Sequence, residues 1–280
     1  MDIKHLQIGK AKCWMLLLLM LPFAAHGQNS FFDFSAVCTT GQTLYYKITD
    51  EENHKVELTC PHYDDWGYGD WDGYEMPEGD ILLPETVENE DVVYSVTAIG
   101  DYAFNYCSEL TGSLVIPNSV TSIGVSAFDS CQGFSGSLVI PNSVLTIGDA
   151  AFNWCDGFRS LSLGNSLVSI GSNAFWACMN FHGSLVIPNS VETIGESAFC
   201  YCDSFTSLSL GNSLTTIEAG AFSSCISFSG SLVIPNSVET IGDDAFYRCE
   251  GFRSLSLGNS LTSIGSSAFN YCINLSGSLT

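Results

Sequence analysis

The chain has 280 residues, 46% of them hydrophobic and only 14% charged, with 30 acidic against 8 basic side chains. That is ample apolar material for a packed core, which excludes a disordered chain. A formal charge of -22 repels phosphate backbones and anionic headgroups, and so argues against nucleic acid or a membrane surface as partner.

Residues 1–27 carry Lys4, Lys10 and Lys12, then an apolar run over 14–25, then Ala25-His26-Gly27 ahead of Gln28. A charged start, an apolar middle and a small-x-small end make the pattern of a secretory signal peptide, and cleavage after Gly27 is expected. The apolar run has about a dozen residues, short of the roughly 20 that a spanning helix needs, so no membrane insertion is expected after cleavage. Removing Asp2 together with the three lysines leaves 29 acidic and 5 basic residues, a net charge of -24 for 28–280. The mature chain is expected to be secreted or at the cell surface, with the periplasm or the outer-membrane exterior as its destinations.

Residues 28–94 lack the pattern that follows and read as a β-rich N-terminal cap. Residues 43–49 and 55–60 alternate in polarity around the polar break Asp50-Glu-Glu-Asn-His54, the signature of a β-hairpin. A turn centred near Glu52 places Cys60 opposite Leu44 rather than Cys38, which disfavours a bridge between these two cysteines without excluding it. Strands are also expected at 80–84 and 92–99. Between them, 62–75 mixes acids, glycines and aromatics and reads as a solvated loop; Trp66, Tyr68, Trp71 and Tyr74, if exposed, form a stacking platform for a sugar ring.

From 95 to 280 one sentence is repeated, as in SLVIPNSVLTIGDAAFNWCDGFR over 137–159. The cysteines of its Ala-Phe-x-x-Cys element, Cys107, Cys131, Cys155, Cys178, Cys202, Cys225, Cys249 and Cys272, are spaced by 24, 24, 23, 24, 23, 24 and 23 residues. So regular a period specifies a solenoid of eight units, with 277–280 opening an incomplete ninth. Each unit predicts a strand (138–140), a Pro-Asn-Ser turn, a second extended piece (144–147), a glycine, and about two turns of helix that put Ala151, Phe152 and Cys155 on one face. Asp101, Asp149, Glu196 and Asp243 are expected to cap those helices.

The inward positions repeat in columns. Phe104, Phe128, Phe152 and their successors form one, Ile99, Ile123, Ile147 and theirs another, and Leu110, Phe134, Phe158 a third. No unit can bury these alone, but stacked neighbours share one core. One cysteine per unit is not the paired spacing of a zinc site, so the cysteines are expected to be reduced core residues, with disulfides between some neighbouring pairs as the alternative and Cys200, one place out of phase, as the exposed thiol.

No nucleophile elbow, phosphate loop or zinc signature is present, and the three histidines beyond the leader, His54, His62 and His182, are scattered. The chain is not expected to be an enzyme, and no metal or cofactor is expected.

The pattern I-P-N-S-V-x-x-I-G-x-x-A-F-x-x-C, as at 116–131, resembles the BspA-like leucine-rich repeats of bacterial surface proteins. The resemblance covers about 95–280, with 45–99 similar to the lead-in of those proteins. It implies an α/β repeat solenoid: a right-handed leucine-rich-repeat coil with a concave parallel sheet built from 114–116, 138–140, 161–163 and their successors, and short helical pieces. It also implies an exported protein that binds or adheres to host or partner-cell surface molecules. A structural spacer without a ligand and a glycan-binding module are the alternatives. Leu163-Gly164, Leu210-Gly211 and Leu257-Gly258 replace Ile-Pro in alternate units, giving a 47-residue super-repeat, and Glu218 replaces the glycine.

If the ligand is an extracellular protein, the outward middle positions of the concave strands, Val115, Val139, Ser162, Val186, Ser209, Val233 and Ser256, form the first candidate surface. The second is an aromatic stripe, Tyr106, Trp154, Tyr201 and Tyr271, whose plainer role is packing between units. Self-association through an uncapped last repeat, 254–280, is a further expectation.

Overall fold

A computed structural model describes residues 31–64 and 66–276; the leader expected at 1–27 and the ninth unit expected to open at 277–280 lie outside the described residues. The cap hairpin forms as its alternation predicts, with Thr43–Asp50 antiparallel to Lys55–Thr59 and Tyr45 opposite Thr59, which puts Cys60 level with Leu44. The predicted strand at 80–84 is reduced to Gly79–Asp80, which pairs with Leu110–Thr111, while Ile81 and Leu83 are buried. Val92–Ile99 is a strand that pairs in parallel with Lys55–Thr59 on one side and with Ser122–Ile123 on the other. Cap and solenoid thus share one sheet.

That sheet runs the length of the molecule. After Val92–Ile99 come Ser122–Ile123, Thr146–Ile147, Ser169–Ile170, Thr193–Ile194, Thr216–Ile217, Thr240–Ile241 and Ser263–Ile264, all parallel and in register. Isoleucine turns inward at each step and stays buried as far as Ile241, with Ile264 half-exposed in the last described coil; the Ser or Thr faces out. The continuous sheet is therefore built from the second extended piece of each unit. The expected concave strands instead pair only two by two: Gly136–Val139 with Phe158–Ser162, Gly183–Val186 with Phe205–Ser209, and Gly230–Val233 with Phe252–Ser256, preceded by a lone bridge between Val115 and Val139.

This pairing gives the 47-residue super-repeat a physical basis. Ile140 N–H donates to Ser162 O at 2.9 Å inside a pair, whereas the next residue, Pro141, has no N–H to extend the ladder. Gly164 lies directly on Pro141, where a Cβ would stand 2.4 Å from the proline carbonyl oxygen, so the close approach requires glycine. The third core column records the same alternation. Ring centroids are 5.6 Å apart for Phe134–Phe158, 6.4 Å for Phe158–Phe181, 5.4 Å for Phe181–Phe205 and 6.3 Å for Phe205–Phe228. In the first column, by contrast, the rings from Phe104 to Phe269 stack evenly at 5.1–5.5 Å and nearly parallel. Coils stack uniformly beside the Ala-Phe turn and in couples beside the paired strands.

The short helical pieces are absent among the described residues. Around Ala-Phe-x-x-Cys the backbone makes a string of tight turns with a left-handed residue before the alanine and another before the cysteine: Tyr102 and Tyr106, Ala150 and Trp154, Asn173 and Ala177, and so on to Ser267 and Tyr271. Alternate N–H groups leave the local turn for the next coil, as Ala150 N–H to Ser172 O, Phe152 N–H to Ala174 O and Trp154 N–H to Trp176 O at 2.7–2.9 Å. A helix of two turns is marginal by itself, and here the neighbouring coil offers better acceptors. The four-residue spacing of the left-handed positions buries Ala151, Phe152 and Cys155 together much as a helix would, which is why the sequence pattern reads as one.

Candidate functional site

The eleven cysteines among the described residues are all free thiols. Each repeat cysteine from the second unit on lends its Sγ hydrogen to the phenylalanine carbonyl of the coil before: Cys131 to Phe104, Cys155 to Phe128, Cys178 to Phe152, at 2.9–3.1 Å. Burial pushes these thiols well above their ordinary value. Cys200 is a correction: it is only 7% exposed, set in the column of Trp176 rather than at the surface, and among the described residues the partly exposed thiol is Cys38. Among the described residues no three His, Cys, Asp or Glu side chains converge as metal ligands do.

The first predicted surface exists as a row. Val115, Val139, Val186 and Val233 are 52–56% exposed, and Ser162, Ser209 and Ser256 are exposed beside them. Register pairs Val139 with Ser162, Val186 with Ser209 and Val233 with Ser256, and the hydroxyls of Ser137 and Ser160, Ser184 and Ser207, Ser231 and Ser254 bond at 2.7 Å alongside. None of these six strands carries an acid; their only charges are Arg159 and Arg253. On a chain this acidic, an acid-free face is a marked local departure.

The aromatic stripe is only partly a unit. Trp154 and Tyr201 are joined through Trp176, with T-shaped contacts of 5.0 and 5.6 Å; Tyr271 contacts Tyr247 instead, and Tyr106 stands apart. Sequence reasoning missed Trp176 and Tyr247 because it followed one column, whereas the rings meet across adjacent columns of successive coils. In the cap, Trp66 and Tyr68 are exposed, but Trp71 is 3% exposed and packs beside Tyr45, so the four-ring platform does not form. The loop is solvated along 66–68 and 72–75, as expected, but it is also tied to the first repeat, where Asn105 Nδ2 donates to Gly69 O at 3.2 Å, and closed on itself where His62 Nδ1 meets Asp70 Oδ1 at 2.6 Å.

A third surface was not foreseen. Over the continuous sheet lies an open groove of about 660 Å³, floored by Ser122, Thr146, Ser169 and Thr193 and edged by Asp101, Asp149, Glu196 and Glu218. The aspartates do not cap helices. Asp101 Oδ1 accepts from Val125 N–H and Asp149 Oδ1 from Ser172 N–H, both at 2.7 Å, so each fastens its coil to the next. The signal was present in the sequence as acids in alternate units beside the glycine, but reading them as helix caps hid that they share a face.

Stacked parallel coils with buried phenylalanine, isoleucine and cysteine columns set the architecture, and the family model for the BspA-type leucine-rich repeat region matches in overlapping stretches at 86–182, 134–230 and 182–278. The chain belongs to the BspA-type leucine-rich repeat family. Among solved structures it is similar to a leucine-rich repeat protein from Bacteroides ovatus, at 27% identity over 83% of this chain and 68% of that one, with a TM-score of 0.57. It is also similar to the leucine-rich repeat protein of T. pallidum, at 22% identity over 83% of this chain and 88% of that one, with a TM-score of 0.59. No curated protein matches the chain. In this BspA-type protein, as in those two neighbours, the resemblance fixes the solenoid; the choice among its three surfaces rests on their chemistry.

Proposed function

We propose that this BspA-type protein is exported and works at the cell surface as a recognition protein, binding another protein, on a host or partner cell, through its paired-strand face. The observation that carries the reading is the acid-free row of exposed valines and serines from Val115 to Ser256 on a chain of net charge -22. A ladder of valines and serines whose only charges are Arg159 and Arg253 suits a broad protein surface, because docking there desolvates chiefly methyl and hydroxyl groups and strands no carboxylate. Membership of a family of repeat proteins supports recognition over catalysis as its work.

The test is a binding survey of residues 28–280 against extracellular matrix proteins and a glycan array, repeated with Val139→Asp, Val186→Asp and Val233→Asp combined. A retained protein ligand that the triple variant releases supports the reading. Retention unchanged by the variant, glycan binding lost on Trp176→Ala, or no retention above an unrelated acidic protein would each overturn it.

A further inference from the structure

The groove over the continuous sheet is separate from the paired-strand face, and its chemistry is the opposite. It crosses the strands from Ser122–Ile123 to Thr193–Ile194, and its lining contains no Lys, Arg or His. The carboxylate column occupies alternate coils: Asp101, Asp149 and Glu196 carry acids where Val125 and Ser172 stand in the coils between. With strands stacked about 4.8 Å apart, successive acids are about 9.6 Å apart along the groove. The hydroxyls between them can accept or donate and so tolerate a polar backbone laid along the floor.

Glu218 adds a fourth carboxylate out of register. It stands where the other units have glycine, in a column so tight that a Cβ at Gly195 would meet the Ser172 nitrogen at 2.5 Å. Its own N–H reaches Ile194 O at 3.4 Å, against 2.8 Å for Gly195 to Ile170 and 2.7 Å for Gly242 to Ile217. The glycine rule of the fold is broken at the one unit where doing so turns a further acid into the groove.

We propose that this groove binds an extended basic segment of a polypeptide, lying along the solenoid axis with its cationic side chains about three residues apart. Charge complementarity selects the occupant. A pocket of carboxylates and hydroxyls without a cation repels acidic and rewards basic chains. Spacing selects its form, since three residues of polyproline II advance about 9.3 Å and return side chains to the same side. This inference does not depend on the paired-strand face, and either can fail alone.

The experiment measures binding of two peptides of equal composition, (Lys-Pro-Pro)4 and one with its four lysines contiguous, to residues 28–280 by fluorescence anisotropy at low and physiological salt. The expected result is tighter binding of the spaced peptide by about fivefold, with Glu196→Gln and Glu218→Gln each weakening it about threefold. Glu52→Gln and Glu88→Gln, exposed cap changes of equal charge, should leave it unaltered. Glu218→Gly serves as a second groove variant that cannot fail through crowding, and thermal melts confirm that each variant folds. Equal affinity for the two peptides, equal loss with groove and cap variants, or no binding of either would overturn the proposal.

Discussion

Cys155 hands its thiol hydrogen to the carbonyl oxygen of Phe128 in the preceding coil, at 2.9 Å, and the same link recurs one coil later between Cys178 and Phe152. The cysteine column is thus a line of inter-coil bonds through a core that excludes water. A thiolate there would be both desolvated and deprived of its donor role. In folded residues 28–280 near neutral pH, N-ethylmaleimide should modify Cys38 and spare Cys131, Cys155 and Cys178, as mapped by peptide mass spectrometry. Labelling of the column at the Cys38 rate would show that it opens.

The same burial makes stability depend on alkaline pH. Folded Cys60 and Cys272 are raised to about 11, and the column between them higher still, all through desolvation first. In the unfolded chain thiols ionise near their ordinary value of about 8.5. Above that value the unfolded state binds fewer protons than the folded one, so stability falls as pH rises. Denaturant midpoints should therefore be level between about pH 7 and 8 and decline from about pH 9 upward, with the midpoint at pH 10 as the deciding measurement.

Asp149 supplies a polar counterpart, accepting the Ser172 N–H across the coil boundary. Asp149→Asn keeps an acceptor in place and should be close to neutral, whereas Asp149→Ala orphans the amide and should cost about 1 kcal/mol. Equal melting temperatures for the two variants would show that the link carries no weight.

Much of this was legible in the sequence and some was not, for identifiable reasons. The columns of Phe152, Ile147 and Cys155 were readable because burial must recur at every coil. The side of the coil that carries the continuous sheet was misread because Leu138-Val139-Ile140 has the stronger strand composition. Thr146-Ile147 wins because every coil supplies an N–H there, while Pro141 interrupts the other ladder in alternate coils. The groove escaped notice for a related reason: assigning Asp149 to a helix start removed it from the face that it shares with Glu196.

Glu218 makes a stability prediction of unusual sign. Replacing an exposed acid by glycine ordinarily destabilises through added backbone freedom, by about 0.5–1 kcal/mol. Here Glu218→Gly removes the Cβ that stretches the Ile194 bond to 3.4 Å and should raise the melting temperature. The converse, Gly148→Ala, drives a Cβ to within 2.6 Å of the Gly124 carbonyl carbon and should cost about 2 kcal/mol or more. A lower melting temperature for Glu218→Gly would mean that the longer bond reflects something other than crowding.

Ala150 separates turn from helix by sign alone. Its φ is 52°, in the left-handed region, and its N–H donates to Ser172 O in the next coil at 2.7 Å. Were 149–155 helical, Ala150→Gly would cost about 1 kcal/mol, since alanine is the best helix former and glycine among the worst. In the observed turn, glycine relieves the Cβ clash of a left-handed residue, worth roughly 1–2 kcal/mol, against a smaller loss of unfolded-state restriction. The substitution should therefore be neutral to stabilising, and the same change at Ala151, buried and at negative φ, should destabilise and serve as the internal control. Urea midpoints for the pair decide it: a loss of stability at Ala150 as large as that at Ala151 would restore the helix.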